Sequence, residues 1–518
     1  MENIFFNDEI ITAESKIISS LKIPSLILME NAGANSADYI YGILKKNNEK
    51  NVLIICGKGN NAGDGFVIAR HLGRRNLNVK VILLYRSGEM KGDALTNYNI
   101  LKNLKRSNTE IIFCGEVKSL KKEISNEYKY IIDAIFGTGF KGGADAGIRN
   151  IISYINEQKG KTIISVDIPS CLYNYNQKEE CIKADITLCM GVKKFNSLFY
   201  KGKKYSGRLE LINIGIPEES FTHYNYENKF QTESSDFKNF IPVREKDSNK
   251  YSNGKVFVLA GSPGLTGAAF LSSLAALRSG AGAVIAGIPE SLNEIMEIKL
   301  TEVMTLPLAE TDEQTLSERA YNKIREKLIW ADAVLLGPGL SKNEETGRLI
   351  RKIVSENNNN FIIDADAIYF FRNNLKLLKR KNIIITPHTG EFSGLINTDS
   401  AELKNNFFTQ AVDFALKYKS VVLLKNSPSI ITDGKRFYIN PNGRENLATA
   451  GTGDVLSGIT AGLFAKTKDA FMSAAAAAYI HGKCGDILYE KRGSDSTIAG
   501  DLLDLIPEVK NAIRNSDD

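Results

Sequence analysis

Short runs of β-branched and other apolar residues recur through the first 220 positions: NVLIIC at 51, VKVILL at 79, EIIF at 110, YIIDAIF at 130, TIISVD at 162, DITLCM at 185 and RLELINIG at 208. The stretches between them carry helical periodicity. Runs this short read as strands, and strands separated by helices predict a mainly parallel sheet, because parallel neighbours need a long crossover that is usually a helix. Two amphipathic stretches, around 8–20 and 25–46, precede the first strand and are expected to pack on that sheet. A polar interval follows, containing HYNYENKFQTESSDFKN and REKDSNKYSN. Alternation then resumes with VFVLAG, AGAVIAGI, DAVLLG, NFIIDAD, NIIIT and SVVLLK. The expected fold class is therefore α/β, with two three-layer α/β/α domains: a Rossmann-like one over 1–220, a linker and entry segment over 221–253, and a second over 254–518. The halves share this grammar but no alignable repeat, so they read as a fusion of two different enzymes.

Composition narrows the function classes. Across 518 residues, 43% are apolar and 24% charged, and 42 Gly against 12 Pro suggests tight glycine loops rather than disorder. A net charge of +6 from 66 basic and 60 acidic residues, without a long basic run, gives no electrostatic reason to expect nucleic acid or a membrane surface as a partner. Cys56, Cys114, Cys171, Cys181, Cys189 and Cys484 never fall in a CxxC spacing, so they read as reduced thiols. Acidic Asp8, Glu9 and Glu14 precede any apolar run, unlike the basic start of a signal peptide. The tract Phe471 to Ile480 is far short of the ~20 residues that span a bilayer. A cytoplasmic location is expected.

Chemistry concentrates in glycine loops at strand ends. After Cys56, the segment GKGNNAGDG leads into a helical pattern, and Gly57, Gly59 and Ala62 satisfy a G-x-G-x-x-G/A fingerprint. The second strand, however, runs into Tyr85 and Arg86 instead of the acidic residue that holds a ribose hydroxyl in NAD-using units. The loop also carries Asn60, Asn61 and Asp64, which a plain pyrophosphate turn does not need. Asp133 and Asp167 end two further strands. A lone strand-end Asp can equally be a helix cap. The carboxyl ends of parallel strands share one edge, though, so these residues should converge with the 57–65 loop into a site. Gly137, Gly139, Gly142 and Gly143 form a second loop whose amides can approach phosphate oxygens.

In the second half, NLATAGTGDVLSGI at 446 places a glycine turn at the start of a helix. Such a turn presents free N–H groups and the positive dipole end to a phosphate, while Asp454 can take a proton from a nearby hydroxyl. A P-loop is absent: Gly160-Lys161-Thr162 ends like one, but Ile155 stands where its first Gly belongs.

GNNAGDG, DAIFGTG and VDIPS, in this order, resemble the N-terminal domain of the YjeF family, the NAD(P)H-hydrate epimerases, over residues 1 to about 220. The resemblance implies that Asn61, Asp133 and Ser170 hold a potassium ion. It implies substrate contacts from Asn60, Asn61, Ala62, Gly63 and Asp64, from Gly137, Thr138, Gly139, Phe140, Lys141, Gly142 and Gly143, and from Asp167 as catalytic acid–base. GSPGLTGAAF, GPGL, DADAI, TPHTGE and VVLLKN, with the 446 segment, resemble the family's C-terminal domain, a ribokinase-like ADP- or ATP-dependent NAD(P)H-hydrate dehydratase, over about 250–510. This implies that Ala268, Gly339 and His388 contact the hydrate, with Asp454 as catalytic base. It further implies that Lys425, Asn426, Ser427, Pro428 and Ser429, with Gly451, Thr452 and Gly453, bind the adenine nucleotide. Ala62, Cys171, Ser341, Asn426, Asn446 and Ala450 stand where the family commonly has Gly.

The implied activity is repair of hydrated nicotinamide nucleotides, epimerising (R)- and (S)-NADHX and NADPHX and dehydrating the S form, with ADP preferred to ATP and AMP and phosphate as products. Hydroxide leaves poorly, so phosphorylating the ring hydroxyl helps the elimination. Asp454 would deprotonate that hydroxyl, the 451–453 amides would hold the phosphoryl charge, and Mg²⁺ would neutralise the phosphates. Asp364 and Asp366, at another strand end, suit either metal-water contacts or a structural role. The alternative is a ribokinase-like small-molecule kinase carrying a catalytically silent N-terminal scaffold domain. A homo-oligomer is expected.

Overall fold

The computed structural model describes residues 1–516. The chain divides into two compact units, Glu2–Tyr226 and the part from Glu227 onward together with Met1.

In the N-terminal unit the strands are β1 (Glu2–Phe5), β2 (Asn51–Cys56), β3 (Asn78–Leu83), β4 (Thr109–Phe113), β5 (Tyr130–Ala134), β6 (Thr162–Val166), β7 (Ile186–Met190), β8 (Lys193–Lys194) and β9 (Arg208–Ile212). Among the described residues, seven of them form a sheet in the order β4-β3-β2-β5-β6-β7-β9, every pair parallel. Alternate residues of β2 serve opposite faces. Val52, Ile54 and Cys56 enter one core with the helices Asn7–Leu21, Ser25–Lys46 and Asn60–Arg74, while Leu53 and Ile55 enter a second core with the helix Ala146–Asn156. A strand buried on both faces reads as an unbroken apolar run, as NVLIIC does. The chain winds outward from β2 to β4 and then returns to β2's other side with β5. This reversal opens a crevice beyond the carboxyl ends of β2 and β5.

The second unit contains β10 (Lys229–Gln231), β11 (Lys255–Leu259), β12 (Ala283–Pro289), β13 (Met304–Leu308), β14 (Ala333–Leu336), β15 (Phe361–Ile363), β16 (Ile383–Ile385), β17 (Val421–Leu424), β18 (Ser429–Thr432) and β19 (Phe437–Asn440). Their order is β13-β12-β11-β14-β15-β16-β17-β18-β19-β10, parallel as far as β17, with β18 antiparallel to both its neighbours. The reversal here lies between β11 and β14. Helices Thr266–Arg278, Thr452–Thr467 and the alanine-rich Ala470–Arg492 pack on the sheet in one core. None of the described helices is long and apolar enough to cross a membrane.

Two differences from the sequence reading have physical causes. The interval expected to be a linker carries the helix Glu218–Tyr224, strand β10, and a turn that buries Phe237 and Ile241. Its apolar residues are too sparse to show a period, yet each finds a core. The β18–β19 hairpin was not expected, although Asp433-Gly434 between IIT and RFYI is a usable hairpin signal.

Gly458 lets the helix Thr452–Thr467 lie against Thr266–Arg278, since a Cβ there would stand 2.2 Å from the Ser272 carbonyl oxygen. Gly458→Ala is expected to destabilise this unit by about 1–3 kcal/mol through overpacking. Denaturant unfolding followed through Trp330, the chain's one tryptophan, measures it.

Candidate active sites

The crevice of the N-terminal unit holds a cleft of about 800 Å³, lined among others by Glu14, Asn61, Asp64, Gly137, Phe140 and Asp167. Asn60, Thr138, Gly139 and Lys141 line it too, whereas Ala62 and Gly63 are buried in the first turns of Asn60–Arg74. The loops after β2 and β5 meet backbone to backbone: a Cβ on Gly57 would lie 2.1 Å from the Ile135 carbonyl oxygen. Gly142 and Gly143, both at positive φ, close the second loop beside Tyr173.

Asp133, near the carboxyl end of β5, is buried. Its Oδ2 accepts from Ser165 Oγ (2.7 Å) and Ser170 N (2.9 Å), and its Oδ1 accepts from Ser170 Oγ (2.5 Å) and Ile135 N (3.3 Å). Burial nonetheless raises its pKa, the hydrogen bonds opposing. Ser170 Oγ also accepts from Phe136 N at 2.9 Å. Asn61 is buried with neither side-chain atom hydrogen-bonded, and its Cβ would be 3.5 Å from a Cβ on Gly137. The backbone of 136–137 thus lies between the expected ion ligands. An orphaned amide oxygen on one side of that backbone, with a buried carboxylate and hydroxyl on the other, is an oxygen donor set of the kind a hard cation such as K⁺ takes.

Asp167 immediately follows β6 and has φ of 70°, a strained left-handed value for a side-chain-bearing residue. Its Oδ1 pairs with Lys194 Nζ at 2.5 Å and its Oδ2 accepts from Thr138 N at 3.1 Å. Lys194 is 1% exposed and also donates to the Met190 carbonyl at 2.9 Å. Burial lowers its pKa, but Asp167 and neighbouring acids more than offset this, so the ammonium is retained. Sequence reading missed Lys194, since a Lys in VKKF after a strand carries no motif. Asp64 is pushed well above the usual carboxylate range, first by burial and then by the charges of Asp167 and Glu14. Cys171, where the family resemblance leads one to expect Gly, has φ of 71°, a left-handed value that glycine takes without strain.

In the second unit the strand ends again supply the groups. After β14, Gly337 passes so close to β15 that a Cβ would meet the Asp364 carbonyl oxygen at 1.7 Å. A Cβ on Gly339 would lie 3.1 Å from that of Ala268, so these two expected contact residues are neighbours. Ser341 has φ of 64°, and its N–H donates to Asp366 Oδ2 at 2.9 Å. Asp364 is buried: Oδ1 accepts from Thr386 Oγ1 (2.8 Å) and Lys425 Nζ (2.9 Å), whereas Oδ2 has no partner. His388 caps the helix Thr389–Ile396, its Nδ1 accepting from Gly390 N and Glu391 N at 3.0 and 3.2 Å. Its neighbour Pro387 accepts from Lys425 N at 2.8 Å, which brings His388 and Lys425 side by side. Asn426, Ser427 and Pro428 form the turn into β18, where Ser429 Oγ donates back to Asn426 O at 3.1 Å.

Gly451, with φ of 90°, caps the helix Thr452–Thr467. Gly451, Gly453 and Asp454 have no backbone acceptor for their N–H groups among the described residues, while Thr452 N reaches Thr449 O at 3.4 Å. Asn446 anchors the preceding loop by donating to Gly485 O (2.9 Å) and Thr497 Oγ1 (3.0 Å). His481 was also missed. Burial drops its pKa to about 4, and its neutral ring donates from Nε2 to Thr452 O at 2.9 Å, pinning the first helical turn. Lys425 Nζ would be 3.5 Å from a Cβ on Gly453, which puts the ammonium next to the first turn of this helix. Asp454 is pushed up to about 7, first by burial and then by Asp364, against the pull of Lys425. A carboxyl poised near neutrality beside free helix-start amides can accept a proton while an anion is held.

A family model described as YjeF-related protein N-terminus matches residues 25–195, and one described as NAD(P)H-hydrate dehydratase matches 256–508. A bifunctional NAD(P)H-hydrate repair enzyme from Moorella thermoacetica is 37% identical over 95% of this chain and 93% of its own. One of the same description from Dictyoglomus turgidum is 31% identical over 97% of each. Among solved structures, a ribokinase-like superfamily protein from Enterococcus faecalis superposes with a TM-score of 0.51 at 23% identity, covering 56% of this chain and 98% of its own, a likeness of fold.

Proposed function

The chain belongs to the family of bifunctional NAD(P)H-hydrate repair enzymes, and on that premise we propose how its residues divide the work. The N-terminal unit interconverts the R and S epimers of NADHX and NADPHX. The second unit dehydrates the S epimer to NADH or NADPH, using ADP in preference to ATP. The observation that carries this reading is that each unit holds its own lysine-paired carboxylate just beyond the carboxyl end of a strand of its own sheet, Asp167 with Lys194 after β6 and Asp364 with Lys425 after β15. A kinase with a silent N-terminal scaffold is not favoured, because a scaffold has no use for a buried ion pair facing a cleft.

In the first unit Asp167 exchanges the proton of the ring hydroxyl, Lys194 and Thr138 N holding its carboxylate in place. Asn61, Asp133 and Ser170 would hold K⁺, whose charge would fix the loops against the anionic substrate. In the second unit Asp454 takes the proton of the ring hydroxyl as the terminal phosphoryl group moves onto it. The free amides of Gly451, Gly453 and Asp454, with Lys425, stabilise the phosphoryl oxygens. Phosphate then leaves C6, the C5 proton is lost to solvent, and the C5=C6 double bond reforms. Asp364, with its unpartnered Oδ2, and Asp366 offer the hard oxygens that Mg²⁺ takes alongside phosphates, and the ion would supply charge neutralisation. His388, Ala268 and Gly339 seat the hydrate. The protein acts in the cytoplasm and as a homo-oligomer.

The test is incubation of the full chain with mixed NADHX epimers and ADP, then ATP, following dihydronicotinamide absorbance. Complete conversion is expected. A stable phosphorylated product without recovery of absorbance contradicts the reading. Exchanging K⁺ for tetramethylammonium is expected to slow epimerisation several-fold and to leave dehydration of the pure S epimer unchanged, measured by chromatography of the epimers.

A further inference from the structure

The helix Asn7–Leu21 was expected from the sequence only to pack. It buries Ile10, Ala13 and Ile17, and this stripe sets Glu14 beside the core, on the wall of the epimerase cleft with Ser15 and Ile18. Asp167 and Asn61 line the same cleft. Glu14 is partly buried, and its carboxyl makes no hydrogen bond or ion pair with any described residue. A carboxyl held inside a substrate cleft without a structural partner is available to substrate. Resting on the epimerase reading, we propose that Glu14 is the second acid–base group of epimerisation, serving the face of the ring opposite Asp167.

The chemistry asks for two such groups. Epimerisation at C6 removes a hydroxyl from one face and returns one to the other. As the C6–O bond breaks, the ring-nitrogen lone pair forms the N1=C6 bond, and the leaving oxygen takes the Glu14 proton and departs as water. A water on the other face then bonds to C6, the N1=C6 electrons return to nitrogen, and the water's proton passes to Asp167. Solvent returns that proton to Glu14, so the enzyme is unchanged, and the reverse reaction exchanges the two roles. One carboxylate clamped by Lys194 and one without a clamp are suited to begin as base and acid. Burial first, and then the charge of Asp167, push Glu14 up to about 7, with Lys194 opposing. The other charged or titratable groups facing the cleft are Asp64, Lys58, Asp93 and Lys141, the last paired with Asp8 at 3.3 Å.

The experiment follows epimerisation of a purified single epimer by the full chain and its Glu14→Gln variant. The expected result is a fall in kcat on the order of 10²-fold, with KM within about threefold and dehydration of the S epimer unaltered. The wild-type rate should decline above about pH 7, where the acid is lost, and this limb should be missing in the variant. Parental kcat in Glu14→Gln, a change confined to KM, or an unchanged pH profile overturns the proposal. Glu14→Asp decides any case in which Glu14→Gln also loses dehydration: a fall confined to epimerisation supports the role, and unchanged kcat overturns it. Failure of the wild-type chain to epimerise would overturn the epimerase reading instead.

Discussion

Asp454→Asn lowers the turnover of dehydration by on the order of 10²-fold or more while nucleotide affinity is retained. The amide is nearly isosteric but takes no proton, so the ring hydroxyl reaches the phosphoryl group undeprotonated. Nucleotide binding survives because the anion hole is made of backbone amides at 451–454 and of Lys425, none of which the substitution touches. The helix start keeps its geometry, since His481 and Gly451 fix it from outside the side chain. The pH dependence has a definite sign. A base pushed up to about 7 must be ionised to act, so wild-type dehydration rises with pH through that region, and the variant lacks the rise. Gly453→Val gives the opposite split, because its bulk lies against Lys425 and the phosphate position and weakens nucleotide binding. Steady-state kinetics and nucleotide titration on each variant read the two quantities separately. Normal turnover in Asp454→Asn, or lost affinity at unchanged saturating turnover, would make the carboxylate structural.

Asp167→Asn abolishes epimerisation and leaves dehydration of the S epimer intact. With a mixture of epimers, conversion stops once the S form is consumed. The change removes an acid–base group and also breaks the 2.5 Å pair that holds Lys194. A buried ammonium left without its counter-ion costs about 3–5 kcal/mol, so the N-terminal unit also loses stability. Asp167→Asn with Lys194→Met separates the effects: the double variant regains stability, measured by denaturant midpoint, without regaining epimerisation. Epimerisation at the parental rate in the single variant would remove Asp167 from the mechanism.

The parallel strands of both sheets were legible because strands buried on two faces need unbroken β-branched runs, and NVLIIC, TIISVD and SVVLLK are such runs. Two strands of the second unit were not. β13 contains Pro307, β10 is three residues long, and neither leaves a periodic trace. The glycine loops could be read because a position such as Gly57 or Gly337 excludes any Cβ, a local constraint that the sequence must meet locally. Cys171 and Ser341 are instructive exceptions. Their positive φ is a conformation that glycine takes without strain, and this chain carries the strain.

By itself the sequence determined the α/β class, the two-part organisation, the glycine loops at the strand ends and the carboxylates Asp133, Asp167 and Asp454 beside them, because each depends on residues close together in the chain. Tertiary structure alone decided the partners. Lys194 meets Asp167 across 27 positions, Lys425 meets Asp364 across 61, and His481 reaches Thr452 across 29. Glu14 reaches the cleft from a helix before the first strand of the main sheet. The reason is physical. A Lys or Glu far along the chain has no local pattern to announce it, and its charge acquires a role only when folding takes it out of water and places an opposite or like charge beside it.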